Sequence, residues 1–224
     1  MLAALGAVVP AGARPAPTVG GSQTLAVLLT SHRVVAAPGS RHSSAATVSA
    51  ARPITGVQTV LPVLATAVAA GGARWLRVML PGRPNGSTGW IEQRGTEPAT
   101  TDWRIVVKTV SRRILVYRGG RLLRAFAAIV GKPSTPTPRG RFFVEENIRM
   151  LPGAVGAPFA LATSARSNVL QEFDGGPGQI ALHGLDNVGG ELGTAASHGC
   201  VRLADSTVAW LAARISPGVP VTIV

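Results

Sequence analysis

Turn signals recur so often along this chain that the runs between them are strand-length. Twenty-seven glycines and 17 prolines fall among 224 residues; glycine opens positive φ, and proline fixes φ and removes a donor. The densest cluster is Pro81-Gly82-Arg83-Pro84-Asn85-Gly86. Before it, Ala73 to Leu80 alternates, with Trp75, Arg77 and Met79 on one face and Leu76, Val78 and Leu80 on the other. After it, Thr88-Gly89-Trp90-Ile91 begins another run. Thr24 to Leu29 and Ile54 to Leu61 also read as strands, and the small polar stretch Arg41 to Ser49 as a loop. Short strands, tight turns and no convincing helix predict a small β-barrel over residues 22–97.

Glu97 to Thr101 reads as a domain boundary, and beyond it the pattern stays β. Trp103 to Val110, Arg113 to Tyr117, Leu122 to Val130, Phe142 to Ile148, Pro158 to Thr163 and Gln179 to Leu182 are expected strands. Gly131 to Gly140 carries alternating prolines and is expected as a rigid extended loop. Asp205 to Ile215 is the one good helix. Asp205 or Ser206 is placed to cap it, Val208, Leu211 and Ala212 form its apolar stripe, and Gly218 lies beyond its end. Val219 to Val224 closes as a strand. The predicted class is mostly β, with a second domain over 102–224 and one C-terminal helix.

A hydrophobic fraction of 46% is ample for a core. The net charge of +12 is almost all arginine, since Lys108 and Lys132 are the only lysines. Such an excess attracts a polyanion. Nucleic acid fits poorly, because the arginines form no run and aromatics make up only 4%. An anionic membrane and a carboxylate- and phosphate-rich cell wall stay open as partners. Residues 1–21 resemble the end of a secretory signal followed by a linker: Met1 to Pro10 is apolar, and Ala11-Gly12-Ala13 has the small-x-small form of a cleavage site. Export to a periplasm or cell wall is expected. No apolar run reaches the roughly 18–20 residues of a membrane span. Val60 to Ala70 is the longest later candidate, and Pro62 interrupts it.

Cys200 is the only cysteine, held free in a chain expected to be exported. Its nucleophilic form is the thiolate, and an imidazole is the usual means of reaching it. Both His183 and His198 are candidates. Gly199 lets the backbone approach a substrate and turn its N–H groups toward one point, as an oxyanion hole requires. Arg202 is a candidate for a substrate carboxylate, the alternative being a plain surface residue. A zinc site would need three or four spaced ligands, which one Cys and four His do not supply, since His32 and His42 lie in the other domain. Neither metal nor organic cofactor is expected.

Ser197-His198-Gly199-Cys200-Val201-Arg202-Leu203, preceded by His183-Gly184, resembles the signature of the L,D-transpeptidases, the YkuD-type catalytic domain. The likeness extends to Pro136-Thr137-Pro138-Arg139-Gly140-Arg141-Phe142 and to the final helix and strand, and so covers 102–224. The family often carries His-Asn after the cysteine where this chain has Val201-Arg202, and the interval from His183 to Ser197 is short. The resemblance implies Cys200 as nucleophile, His183 as general base and the Gly184 carbonyl as its orienter. Ser197, His198 and Gly199 would shape the loop, with Ser197 also at the substrate, while the departure from the family pattern leaves the role of Arg202 open. The amides of His198, Gly199 and Cys200 would form the oxyanion hole. The implied reaction joins peptidoglycan stem peptides, and the implied inhibitors are carbapenems. An L,D-carboxypeptidase and a non-catalytic wall-binding protein are the alternatives. Trp75 to Val78 followed by Gly89-Trp90-Ile91 resembles bacterial SH3-like domains, implying a wall-binding, active-site-covering or spacer module.

Overall fold

A computed structural model describes residues 20–40, 43–173 and 175–224, with backbone alone over 43–45. The signal-like segment up to residue 19, and His42, lie outside the described residues. Strands β1 (Gln23–Leu28), β2 (His32–Val35), β3 (Ser43–Val48), β4 (Val60–Val68), β5 (Arg74–Met79), β6 (Thr88–Glu92) and β7 (Thr96–Thr101) form one sheet. Its order is β3-β2-β6-β5-β4-β1-β7, and every pairing is antiparallel.

Three expectations are corrected here. The stretch read as a loop, Arg41 to Ser49, contains β3, because pairing of Thr47 and Val48 with Arg33 and His32 overrides its small polar composition. The strand expected from Ile54 starts only at Val60. Residues before it turn outward through Gly56 (φ +71°), leaving Ile54 60% and Val57 43% exposed. β4 then continues through Pro62, where its ladder passes from β1 to β5. Finally, the segment read as a boundary, Glu97 to Thr101, lies within β7, which pairs along the whole of β1.

The remaining strands are β8 (Trp103–Lys108), β9 (Arg113–Arg118), β10 (Arg121–Ala127), β11 (Val130–Gly131), β12 (Gly140–Arg149), β13 (Phe159–Arg166), β14 (Gln179–His183), β15 (Ala195–Ser197), β16 (Val201–Arg202) and β17 (Pro220–Ile223). Eight of them form a second sheet in the order β10-β9-β8-β17-β12-β13-β14-β16, while β11 and β15 pair separately. The single helix among the described residues, α1 (Asp205–Ala212), precedes β17 and buries Val208 and Leu211 in the core of this sheet. It stops short of Ile215, which is buried in the same core. The expected side-chain cap is absent. Ala204 is the N-cap, and Asp205 instead accepts a hydrogen bond from the Leu185 amide at 2.7 Å. The mostly β class with one C-terminal helix is the observed one. Among the described residues no helix is long and apolar enough to cross a membrane.

β12 joins the two sheets. Phe142 is buried in the core of the second sheet, and its neighbour Phe143 in the core of the first. The ladder between β12 and β13 shifts register between Val144 and Glu146, a bulge that lets consecutive carboxylates serve one side. Glu145 and Glu146 are fully buried there. Arg52 pairs with Glu145, and Thr55 donates to Glu146 through both its amide and its hydroxyl at 2.8 Å. Arg166 donates to Glu145 at 3.2 Å, and burial lowers its guanidinium pKa to about 10. The two arginines offset the buried charge of Glu145, whereas among the described residues Glu146 has hydrogen bonds from Thr55 alone and Arg52 Nε at 3.9 Å from its other oxygen.

Candidate active site

β14 and β16 run parallel at the sheet edge, with Leu182 opposite Val201 and His183 opposite Arg202. This register sets Cys200, which immediately precedes β16, level with Ala181, two residues before His183 on β14. His183 and Cys200 line a cavity of about 340 Å³, together with Leu170, Phe173, Ile180 and Arg202 among others. The Ala181 amide lies 3.5 Å from Cys200 Sγ and donates to it, and the thiol faces the Gln179 carbonyl at 3.9 Å. Burial of the sulfur pushes the thiol pKa up, against the weaker pull of the Ala181 amide and of Arg202.

The imidazole of His183 is fixed from three directions. Its Nδ1 lies 2.8 Å from the Gly184 carbonyl, the orienting contact implied by the sequence resemblance. Its own carbonyl accepts from the Leu203 amide, and the next amide, of Gly184, donates to Gly156. Gly156 lies against the ring: a Cβ there would stand 2.5 Å from Nδ1. Gly184 is equally confined, since a Cβ would stand 1.9 Å from the Ala157 carbonyl oxygen. With Nδ1–H donated to a carbonyl, Nε2 carries the basic lone pair. Burial pushes the His183 pKa down, partly offset by the Gly184 contact, with Arg202 lowering it further. Thiol up and imidazole down both favour a resting pair that is neutral on each side.

The proline-containing loop after β11 clamps the cysteine loop. The Ser197 carbonyl accepts from the Lys132 amide at 2.9 Å and from Thr135 Oγ1 at 3.2 Å. The Gly199 carbonyl accepts from Thr137 Oγ1 at 2.8 Å, and Thr137 in turn accepts from the Gly131 amide. A peptide unit is planar with its N–H antiparallel to its C=O. Pinning the carbonyls of Ser197 and Gly199 to this loop therefore turns the amides of His198 and Cys200 away from it. Those two amides make no hydrogen bond among the described residues. The third expected oxyanion donor is not available in this way, because the Gly199 amide donates to Ser197 Oγ at 3.1 Å.

The other expected residues divide. Ser197 is fully buried, and its hydroxyl donates to the Cys200 carbonyl. It braces the loop rather than facing the cavity, contrary to its expected place at the substrate. Gly199 sits at φ +122° with Ile180 against it, a conformation that L side chains rarely adopt. His198 is exposed, stacks on Phe173 at 5.7 Å and has Nε2 3.4 Å from Lys132 Nζ. An ammonium donor at Nε2 occupies the lone pair a base would need. Arg202 lines the cavity and reaches the carbonyls of Val188 and Gly189 at 3.4 Å, so it is more than a surface charge. Sequence reasoning missed Gly156, Thr135 and the walls made by Leu170 and Phe173. Thr137 lies within the quoted motif, and its hydroxyl there was the available signal.

The family model for the L,D-transpeptidase catalytic domain matches residues 102–223. The YkuD protein of Bacillus licheniformis is 30% identical over 126 residues, 56% of this chain and 68% of that protein. L,D-transpeptidase 1 of Mycobacterium tuberculosis is 30% identical over 138 residues, 56% of this chain and 52% of that protein. Among solved structures, the L,D-transpeptidase LdtMt1 in complex with imipenem is similar, with a TM-score of 0.48 and 21% identity. It covers 75% of this chain and 91% of its own. With more than half of its length matched by the family model, from the strand after β7 to the last strand of the sheet, the chain belongs to the L,D-transpeptidase (YkuD-type) catalytic-domain family.

Proposed function

We propose that this chain is an exported cysteine acyltransferase that forms 3→3 peptidoglycan cross-links. The observation that carries the reading is the anchoring of His183 Nδ1 on the Gly184 carbonyl, beside the only thiol of the chain in one cavity. Nε2 of His183 takes the thiol proton as Cys200 Sγ attacks the carbonyl between the third and fourth residues of a stem tetrapeptide. The amides of His198 and Cys200 hold the oxyanion. Collapse breaks the amide bond, and the terminal D-residue leaves with the proton from His183. The side-chain amine of another stem's third residue then attacks the thioester and releases the thiol. Arg202 is suited to the departing residue's carboxylate. Residues 22–97 are read as an SH3-like module, and the +12 charge suits a wall rich in carboxylates.

Incubating the protein with a purified stem tetrapeptide tests this. The expected products are one released D-amino acid per cross-linked dimer. Release with only tripeptide formed would make the enzyme an L,D-carboxypeptidase. No release from folded, reduced protein would favour the non-catalytic reading. Because one relative was solved with imipenem, the same drug serves as a second probe. Intact mass should rise by one drug mass, mapped to Cys200 and absent in Cys200→Ala.

A further inference from the structure

The turn between β5 and β6 reaches across to the wall of the cavity. Arg83 Nη1 donates to the Pro177 carbonyl at 2.8 Å, and Nη2 to the carbonyls of Ser167 at 2.8 Å and Leu170 at 3.1 Å. Asn85 uses both ends of its amide. Nδ2 donates to the Arg166 carbonyl at 2.7 Å and to Asn168 Oδ1 at 3.1 Å, and Oδ1 accepts from the Arg166 amide at 2.8 Å. These partners are the two roots of the connection from β13 to β14. The same connection gives Ser167, Leu170, Phe173 and Gly178 to the wall of the cavity that holds Cys200.

The connection has little apolar anchorage of its own. Val169 and Phe173 are each about half exposed, at 51% and 52%. Its internal bonds are local: Ser167 Oγ accepts from the amides of Val169 and Leu170, and Phe173 pairs with Gly176. The Ser167 amide donates to Gly178 within the connection, and the connection is tied to the rest of the protein by the stacking of Phe173 on His198 and by the side chains of Arg83 and Asn85 from the first sheet. A guanidinium forked over three carbonyls is a geometry that lysine does not reproduce.

We propose that Arg83 and Asn85 are positioning residues for the active site, setting the peptide-facing wall formed by Ser167, Leu170 and Phe173. The assignment rests on reading the Cys200 cavity as the stem-peptide site. It gives the first sheet a part in substrate affinity that does not depend on binding the wall itself.

The test uses full-length Arg83→Ala, Arg83→Lys, Asn85→Ala and, as a control elsewhere on the interface, Thr55→Ala. Hydrogen exchange of peptides covering 167–173 should quicken about tenfold in Arg83→Ala and Asn85→Ala, as expected when hydrogen bonds of this kind are lost. Arg83→Lys should fall between them and the wild type, and Thr55→Ala should match the wild type. Should Arg83→Ala fail to fold, Arg83→Lys and Asn85→Ala carry the measurement. Alkylation of Cys200 by a bulky maleimide should accelerate more than alkylation by iodoacetamide. With stem tetrapeptide, KM should rise and kcat change little. Unchanged exchange over 167–173, or an equal rise in Thr55→Ala, overturns the proposal. Exchange and alkylation report on the wall whether or not stem peptides are turned over. Absence of turnover in wild type would therefore sink the functional reading and leave this one standing or falling on its own readouts.

Discussion

The Nδ1 atom of His183 lies 2.8 Å from the carbonyl oxygen of Gly184, the next residue in the chain. A backbone carbonyl here takes the place that a carboxylate holds in the serine triads. It fixes the tautomer without placing a negative charge beside the ring, so burial is free to keep the imidazole neutral.

The pH dependence of acylation follows. His183 acts as base only when neutral, and burial holds its pKa below the ordinary 6.5. The rate of acylation should rise through a pKa below 6.5 and be level at pH 7. His183→Ala should remove the plateau. A rise centred above pH 7 would contradict the neutral-pair resting state.

Stability should carry both signatures. A lowered histidine pKa means the unfolded chain binds more protons below 6.5, so stability falls as pH drops from there through the folded pKa. A raised thiol pKa means the unfolded chain loses its proton first, so stability falls as pH rises past 9.0. Melting temperature against pH should show both limbs. His183→Ala should flatten the acid limb and Cys200→Ala the alkaline one.

Thr137→Val removes the hydroxyl that links the Gly131 amide to the Gly199 carbonyl. The buried Gly199 carbonyl and the part-buried Gly131 amide lose their partner, at a cost of about 1–3 kcal/mol. The Cys200 amide loses its aim, and acylation should slow by about 10²-fold. Alkylation by iodoacetamide builds no oxyanion and should be nearly unchanged. Equal losses in both reactions would mean that Thr137 acts only through the thiol.

Gly156→Ala places a methyl 2.5 Å from His183 Nδ1 at a φ of +86°. The ring must move, and a displacement near 1 Å costs on the order of 10²-fold in rate. Gly153→Ala is the control: its φ is +78°, but its nearest neighbour is the Asn187 amide nitrogen at 3.8 Å. It should lose stability and keep activity.

The cysteine loop was legible because its parts are covalent neighbours. Ser197, Gly199 and Cys200 fall together in any fold that keeps the segment intact. Gly156 and Thr135 meet them only through the ladders around β13 and β14 and the β11–β15 pair, and nothing local marks either. Asp205 shows the opposite difficulty. Its position before an apolar stripe signals a cap, but a distant amide, Leu185, takes the carboxylate. β7 was missed because Thr96 to Thr101 has little hydrophobic pattern, and its strand is created by pairing with β1. The β11–β15 pair was likewise invisible, two short runs that only the clamp on the cysteine loop brings together.

Consecutive phenylalanines on β12 insert into different cores, Phe142 into one and Phe143 into the other. Melting either sheet alone would pull one ring out of its core and strand Glu145 and Glu146 without Arg52 and Thr55. The two halves are therefore thermodynamically one unit. Scanning calorimetry should record a single endotherm, with van't Hoff and calorimetric enthalpies equal. A chain cut before Trp103 should not reproduce the melting of its own half.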